Sequence, residues 1–303
     1  MSTLYKYYPP DTGILVLQNQ TIRFSPIVEF NDPFEMRNFS QRSFTNEEFG
    51  YELYIQMVEI LENNEQLELE KASPLSKADV DPTDLRKLIE HIKNLDKPIE
   101  YKHELIIDSA VMIAKKVIRD SPSDFNKKIK RKLSELLGAL CVCEVNNSLL
   151  MWAHYAKDHT GIVFGLDTNK LPREHYALQK VNYVKDFPSQ DLKSTVSCYL
   201  GRPNQEEQGS QRIKEWMFTK SKEWEYEKEW RLLSNSSISK DNFLHKYDNQ
   251  LIKEIYLGCS MPSKQKEHFA KLAREINKDI IIYETVLSET AYELKFDKYK
   301  ETS

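Results

Sequence analysis

Residues 138–166 read GALCVCEVNNSLLMWAHYAKDHTGIVFGL and contain the strongest pattern of secondary structure in the chain. Its apolar segment at 139–143 has the length and composition of a buried strand, and the segment at 161–166 has the same character. Between the two, residues 148–155 fit a short helix. The stretch therefore predicts a sheet on which helices pack.

The flanking sequence adds further strands and one amphipathic helix. Residues 1–44 are predicted to be strand and turn, with a short strand at 21–25 and a capped helix that starts at Asp32 and Pro33 and has Glu35 at the capping-box position. The polar segment 186–210 predicts a loop with a short helix. The remaining predictions are strands at 180–184, 252–257, 279–286 and 291–296 and a helix at 263–277.

Residues 45–137 differ in character, because they are rich in Glu, Lys and Leu and have few β-branched clusters. Apolar residues at helical spacing and turn signals predict helices at 48–62, 81–95, 100–119 and 121–137. We interpret this segment as a helical insertion within a single domain that spans 1–303. The predicted fold class is α+β, with a mixed or antiparallel sheet core.

Composition excludes several function classes. The net charge of −4 gives no support to nucleic-acid binding through a basic surface over the whole chain, although a local basic patch stays possible. Four cysteines in 303 residues do not form a disulfide framework. The eight glycines form neither a GxGxxG turn nor a phosphate-binding P-loop, and neither HExxH nor GxSxG occurs. No apolar run is long enough to cross a membrane and no signal peptide is evident, so the expected location is the cytoplasm.

The densest candidate site is the acidic segment at 220–231. If 225–233 is extended, Glu227 and Glu229 lie on one face with Arg231, at about 7 Å spacing. Such carboxylates need a cationic partner, for which Arg231 and either Lys220 or Lys222 are candidates. Neighbouring carboxylates are a common basis for acid–base catalysis. The alternative is a solvated acidic face without function.

A second candidate group follows the predicted strand at 139–143. His154, Tyr155 and His159 lie close in sequence, and histidine is the natural proton carrier near neutral pH. The alternative is a single structural histidine beside a buried tryptophan. A zinc site made with Cys141 and Cys143 is disfavoured, because the C-x-C spacing is unusual and the flanking residues predict a buried strand.

A third candidate group lies near the N-terminus. Cations beside aromatic rings suit an anionic ligand, such as a nucleotide. A turn and a capped helix would equally explain the residues around Asp32. The predicted binding residues here are Tyr5, Lys6, Tyr7, Arg23, Ser25, Asn31 and Asp32.

The order of these groups resembles the bacterial domain of unknown function 2971 family. The matching pieces are 4–7, 22–25 with 30–35, 151–155 with His159 and Gly161, and 224–231. More distantly, the pattern resembles the ADP-ribosyltransferase superfamily, in which an early strand and a second strand grip NAD and a late strand carries an E-x-E pair. The sequence departs from that superfamily at 5–7, where Tyr-Lys-Tyr stands in place of a first-strand His or Arg.

The second resemblance implies that NAD is a substrate and that the nicotinamide–ribose bond is cleaved without a metal. Glu229 would hold the ribose and stabilise the oxocarbenium-like transition state, while Glu227 would orient or deprotonate the acceptor. Lys6 or Arg23 would meet the pyrophosphate. The predicted catalytic set also includes His154, and the predicted cofactor-binding set also includes Tyr155, His159 and Arg231, although His154 and Tyr155 have no agreed counterpart in that superfamily.

Two other interpretations stay open at this stage. One is a non-catalytic module that senses a nucleotide or docks a partner through its helical middle. The other is a hydrolase that uses His154 or His159 as base with Glu229. The resemblance also suggests a toxin or phage-defence setting, and leaves the macromolecular acceptor of any transfer unassigned.

Overall fold

A computed structural model describes residues 3–35, 45–63, 65, 82–118, 131, 134–135, 137–171, 178–186, 191–200, 202, 214–235 and 243–300. The chain divides into two compact units. The first unit comprises described residues of 1–30, 134–183 and 220–303, and the second comprises those of 31–133 and 184–219. The second unit therefore takes in most of the predicted helical insertion and a later segment of the chain.

The first unit is built on a nine-stranded mixed sheet. Its strand order is β13-β12-β11-β5-β1-β4-β9-β6, and β3 also pairs with β4. Only β11 and β12 run parallel among the pairs described, and the others are antiparallel. A separate two-stranded sheet joins β2 to β10. The sheet confirms the predicted α+β class.

The strands have the following bounds: β1 Thr3–Tyr8, β2 Thr21–Arg23, β3 Ser25–Pro26, β4 Leu137–Cys143, β5 Ile162–Asp167, β6 Gln179–Lys180, β7 Asn182–Val184, β8 Thr219–Ser221, β9 Glu229–Asn235, β10 Leu244–Lys246, β11 Ile252–Leu257, β12 Ile281–Leu287 and β13 Leu294–Lys298. The helices are α1 Pro10–Asn19, α2 Asn46–Glu62, α3 Pro82–Asn94, α4 Ile99–Ile118, α5 Leu149–Tyr155, α6 Leu192–Leu200 and α7 Ser263–Ile276.

Alternate residues of the central strands face opposite sides of the sheet, as the strand period of two requires. On one side Phe164 and Ile255 pack with Leu17 of α1 and Phe269 of α7 in the main apolar core. On the other side an aromatic cluster includes Tyr7, Tyr256 and Trp152, the last from α5. The second side carries the candidate site.

The second unit is a helical bundle with its own core. Phe49, Leu53, Met57 and Ile60 recur at helical spacing along α2, and they pack with buried residues of α3, α4 and α6. The helix begins with a capping box, in which Thr45 accepts from the backbone N–H of residue 48 and the side chain there accepts from the Thr45 N–H.

Most element predictions are confirmed, but three are wrong. The N-terminal region contains the helix α1 instead of strand and turn alone, because Pro10 sits in the first helical turn, where its missing N–H costs nothing. Residues 32–35 form a turn, in which Asp32 Oδ1 accepts from the Phe34 backbone N–H at 2.8 Å. The predicted strand at 180–184 is divided between β6 and β7.

The predicted helix at 121–137 falls largely outside the described residues. Within the described part of the chain, no helix is long and apolar enough to cross a membrane.

Candidate functional site

The acidic segment is not one extended strand. Residues 222–227 form a 3-10 turn capped by Ser221, and β9 starts only at Glu229. Between them Lys228 is left-handed, with φ 47° and ψ 49°. The prediction that 225–233 is extended is therefore wrong for 225–227. Glu227 and Glu229 are not two positions on one strand face, since a turn and a left-handed residue separate them.

The two glutamates nevertheless meet at one cation. Lys220 Nζ donates to Glu227 Oε2 at 2.6 Å and to Glu229 Oε2 at 3.3 Å. Arg231 donates to both oxygens of Glu229, from Nε at 2.8 Å and from Nη2 at 2.9 Å. We call Lys220, Glu227, Glu229 and Arg231 the charge cluster. Its two carboxylates and two cations give no net charge, and it confirms the predicted need for cationic partners.

All four side chains of the charge cluster are buried, with 1–6 % of their surface exposed. Burial alone would raise the pKa of Glu229, but the charges of Arg231 and Lys220 outweigh it and lower that pKa to about 2. Glu229 is therefore ionised throughout the physiological pH range. The alternative of a solvated acidic face is wrong for this pair, although it describes Glu225, which is exposed and paired with Lys222 at 2.6 Å.

Neighbouring strands hold Glu229 in place. Its backbone N–H donates to the Tyr183 hydroxyl at 2.7 Å, and the Cys141 thiol hydrogen-bonds to its carboxylate. Burial raises the pKa of both Tyr183 and Cys141, so each keeps its proton. The Arg231 guanidinium lies 4.9 Å from the Phe30 ring centre. Of these three neighbours, Tyr183 carries no sequence signal of a role in the site. Phe30 lies in one of the segments that carry the family resemblance, and Cys141 lies in a segment predicted to be a buried strand.

Tyr155 extends the cluster towards the surface. At the last position of α5, its hydroxyl donates to Glu227 Oε1 at 2.6 Å. Tyr155 is half-buried, whereas Glu227 is 3 % exposed. The centre of the Trp224 ring lies 4.9 Å from Lys220 Nζ. Four predicted site residues are thus brought together: Tyr155, Glu227, Glu229 and Arg231.

The two histidines occupy different surroundings. His154 is exposed, and its ring meets the Tyr155 ring edge-on at 6.3 Å. His159 stacks on Trp152 at 6.2 Å, and its Nδ1 is buried without a hydrogen-bond partner among the described residues. The helix ends at Tyr155, so His159 does not continue its face.

Three consecutive left-handed residues separate the helix from β5. Lys157, Asp158 and His159 have φ values of 46°, 51° and 64°. Two glycines allow this turn to lie against the sheet: a Cβ at Gly258 would come 2.1 Å from the His159 carbonyl oxygen, and one at Gly161 would come 2.3 Å from the Tyr8 carbonyl oxygen. The Ser260 N–H donates to the same His159 oxygen at 3.1 Å.

Strand register places Tyr5 of β1 two strands away from Glu229 of the charge cluster. Tyr5 pairs with Cys143 on β4, and Cys143 pairs with Glu229 on β9, so Tyr5 and Glu229 are two strands or about 10 Å apart. The Tyr5 ring packs edge-on against Tyr256. The Tyr7 hydroxyl donates to the Val145 carbonyl oxygen at 3.0 Å.

The contacts described for the other predicted binding residues are with residues outside the charge cluster. Lys6 Nζ lies 5.7 Å from the Tyr8 ring centre. Arg23 is exposed and engages both oxygens of Glu29, at 2.6 and 2.7 Å, while Ser25 pairs with Ala139 in the sheet. The structure gives Arg23 and Ser25 no described contact with the charge cluster. Asn31 and Asp32 belong to the second unit.

The thiols do not favour a metal. Burial raises the pKa of Cys143 to about 12, so it stays protonated at neutral pH. Its thiol hydrogen-bonds to the Val145 carbonyl oxygen at 3.1 Å. Among the residues that the structure describes, no group of three or more His, Cys, Asp or Glu is arranged to hold a metal ion.

Residues 151–232 match the family model of a protein of unknown function, DUF2971. The DUF2971 match begins in α5 and ends in β9, so it contains Tyr155 and the whole charge cluster. No curated protein and no solved structure matches the chain. The resemblance to ADP-ribosyltransferases therefore rests on the sequence pattern alone.

Proposed function

We propose that the chain is an ADP-ribosyltransferase-like enzyme that cleaves the nicotinamide–ribose bond of NAD. The observation that carries the proposal is a buried Glu229, ionised at physiological pH, next to a second carboxylate, Glu227. A fixed negative charge in a site shielded from water stabilises an oxocarbenium-like transition state far better than the same charge in water.

The chemistry assigns a role to each carboxylate. The C1′–N bond breaks, its electron pair goes to the departing nicotinamide, and positive charge develops on the ribose, where Glu229 would stabilise it. The acceptor forms the new bond at C1′ and gives up a proton. Lys220 and Arg231 keep Glu229 ionised and fix its orientation through three hydrogen bonds. Their positive charges also weaken the electric field that Glu229 exerts on the ribose. Catalysis still depends on both cations, because they keep Glu229 ionised and oriented.

Nicotinamide release tests the proposal. Purified protein is incubated with NAD, and nicotinamide is measured by chromatography for the wild type, Glu229→Gln and Glu225→Gln. Glu225 is a matched control, because it is an exposed glutamate four residues away. We expect Glu229→Gln to lower kcat by about 100- to 1,000-fold, and Glu225→Gln to leave it unchanged. No release by the wild type, or full release by Glu229→Gln, would contradict the proposal.

One observation favours a second candidate, a nucleotide-binding module without catalysis. The charges of the cluster neutralise one another internally, as in a rigid structural support that holds Tyr155 and Trp224 in position for a ligand. This candidate predicts that NAD or ADP-ribose raises the unfolding temperature without being consumed. Thermal unfolding with each nucleotide, followed by product analysis of the same sample, separates the two candidates.

A further inference from the structure

The hydroxyl of Tyr183 lies at the charge cluster. It accepts a hydrogen bond from the Glu229 backbone N–H at 2.7 Å. Burial raises the pKa of this phenol, and the negative charges of Glu229 and Glu227 raise it further because both carboxylates are close. The phenol is therefore protonated at neutral pH. The side chain is half-buried and its hydroxyl is only partly enclosed by protein, so a ligand at the cluster can reach it.

The hydrogen-bond donor of this phenol is not used. A tyrosine hydroxyl can accept and can also donate one proton, and the bond from the Glu229 N–H uses only the accepting side. In the described part of the chain, no group accepts the Tyr183 proton. By contrast, the Tyr247 hydroxyl donates to the Val16 carbonyl oxygen at 3.0 Å. Because a half-buried donor without a partner costs free energy, the Tyr183 O–H is suited to donate to a bound ligand.

Glu229 itself has little capacity to hydrogen-bond a sugar. Its Oε1 accepts from Arg231 Nε at 2.8 Å, and its Oε2 accepts from Arg231 Nη2 at 2.9 Å and from Lys220 Nζ at 3.3 Å. Most of the lone pairs of the carboxylate are therefore engaged. Glu229 acts on a bound ribose through its charge, so a hydrogen bond to the sugar has to come from a neighbouring group.

From these contacts we infer that Tyr183 donates a hydrogen bond to the 2′-hydroxyl oxygen of the nicotinamide ribose and makes the site specific for a ribonucleotide. The inference rests on the proposed function, which places C1′ of this ribose beside Glu229. The 2′-hydroxyl is on the adjacent carbon, and it offers an acceptor oxygen that a 2′-deoxyribose lacks. In this role Tyr183 binds the substrate and transfers no proton.

The test compares two substrates, NAD and the analogue of NAD that carries 2′-deoxyribose on the nicotinamide. Release of nicotinamide from each is measured for the wild type and Tyr183→Phe, which loses only the hydroxyl. Loss of the acceptor for the Glu229 N–H affects both substrates alike, whereas loss of the donor affects NAD alone. We expect the ratio of kcat/KM for NAD to kcat/KM for the analogue to fall by about 10-fold in the variant.

Tyr247→Phe is the matched control, because its hydroxyl also holds a backbone group but lies in the main apolar core. We expect it to keep the wild-type ratio within about twofold. The wild type alone gives a second measurement, since its KM for the analogue should exceed its KM for NAD by about 10-fold. Equal KM values, or an unchanged ratio in Tyr183→Phe, would overturn this inference and leave the proposed function standing. Absence of nicotinamide release by the wild type would overturn both.

Discussion

Arg231 and Glu229 are two residues apart on the same strand, and their side chains pair face to face through two hydrogen bonds of 2.8 and 2.9 Å. The pairing is local in sequence but buried in the sheet, where Arg231 is 1 % exposed. Taking two charges out of water costs free energy, and the loss of either partner leaves the other uncompensated. The stability of β9 in the folded sheet therefore depends on both Glu229 and Arg231.

Arg231→Met is expected to lower the free energy of unfolding by about 3–5 kcal/mol, because Glu229 would keep only Lys220 as cationic partner. Arg23→Met is the matched control. It also removes two hydrogen bonds from a guanidinium to one carboxylate, here from Nη1 and Nη2 to Glu29 at an exposed site, where about 1 kcal/mol or less is expected. Urea unfolding followed by circular dichroism measures both, and equal losses would contradict the role of burial.

The lowered pKa of Glu229 predicts a pH-dependent stability. Its pKa is about 2 in the folded chain against an ordinary value of 4.5, so the unfolded chain binds the proton at the higher pH. The stabilisation is fully present above about pH 4.5 and is lost as the pH falls towards 2. The difference in unfolding free energy between the wild type and Glu229→Gln should therefore shrink between pH 5 and pH 3. A difference that stays constant over this range would exclude the ion pair as its source.

Lys228→Gly is expected to stabilise the first unit by about 1 kcal/mol. Lys228 adopts a left-handed conformation, which costs a residue with a side chain about 1–2 kcal/mol, and the greater entropy of glycine in the unfolded chain offsets part of the gain. Lys222→Gly is the control, since position 222 lies within the 3-10 turn. Thermal unfolding should shift upwards for the first variant only, and a loss at position 228 would show that the lysine side chain matters more than the backbone.

Gly258→Ala is expected to destabilise the first unit by about 3 kcal/mol. The new methyl group would meet the backbone carbonyl of His159 at 2.1 Å, and a backbone atom cannot swing aside as a side chain can. Thr160→Ala, in the same turn, removes only one exposed hydrogen bond to the Lys157 carbonyl oxygen and serves as control. Denaturant midpoints compare the two, and similar midpoints would mean that the turn can shift as a whole.

Hydrophobic pattern predicts most of the sheet. The strands at 139–143 and 161–166 are apolar over their whole length because both of their faces are buried, and both are confirmed as β4 and β5. The sequence does not predict helix α1, because its prolines and glycine are typical of turns. Only the fold shows that Pro10 lies in the first helical turn.

The sequence predicts most of the residues of the candidate site, but it predicts less of their geometry. Alternating charge around 225–231 indicates an extended segment, but a non-glycine left-handed residue such as Lys228 carries no recognisable pattern. The pairing of Glu229 with Arg231 follows from strand alternation and is confirmed. Tyr183 reaches Glu229 through tertiary packing, which local sequence does not encode.

The position of β1 at the centre of the sheet has a consequence for synthesis. Tyr5 pairs with Cys143, 138 residues further along the chain, and β1 also pairs with β5, which is later still. On a translating ribosome, β1 must therefore wait with both edges unpaired until more than a hundred further residues have emerged. Such distant contacts slow folding, and exposed strand edges invite aggregation. We expect the nascent first unit to need chaperone protection during this interval.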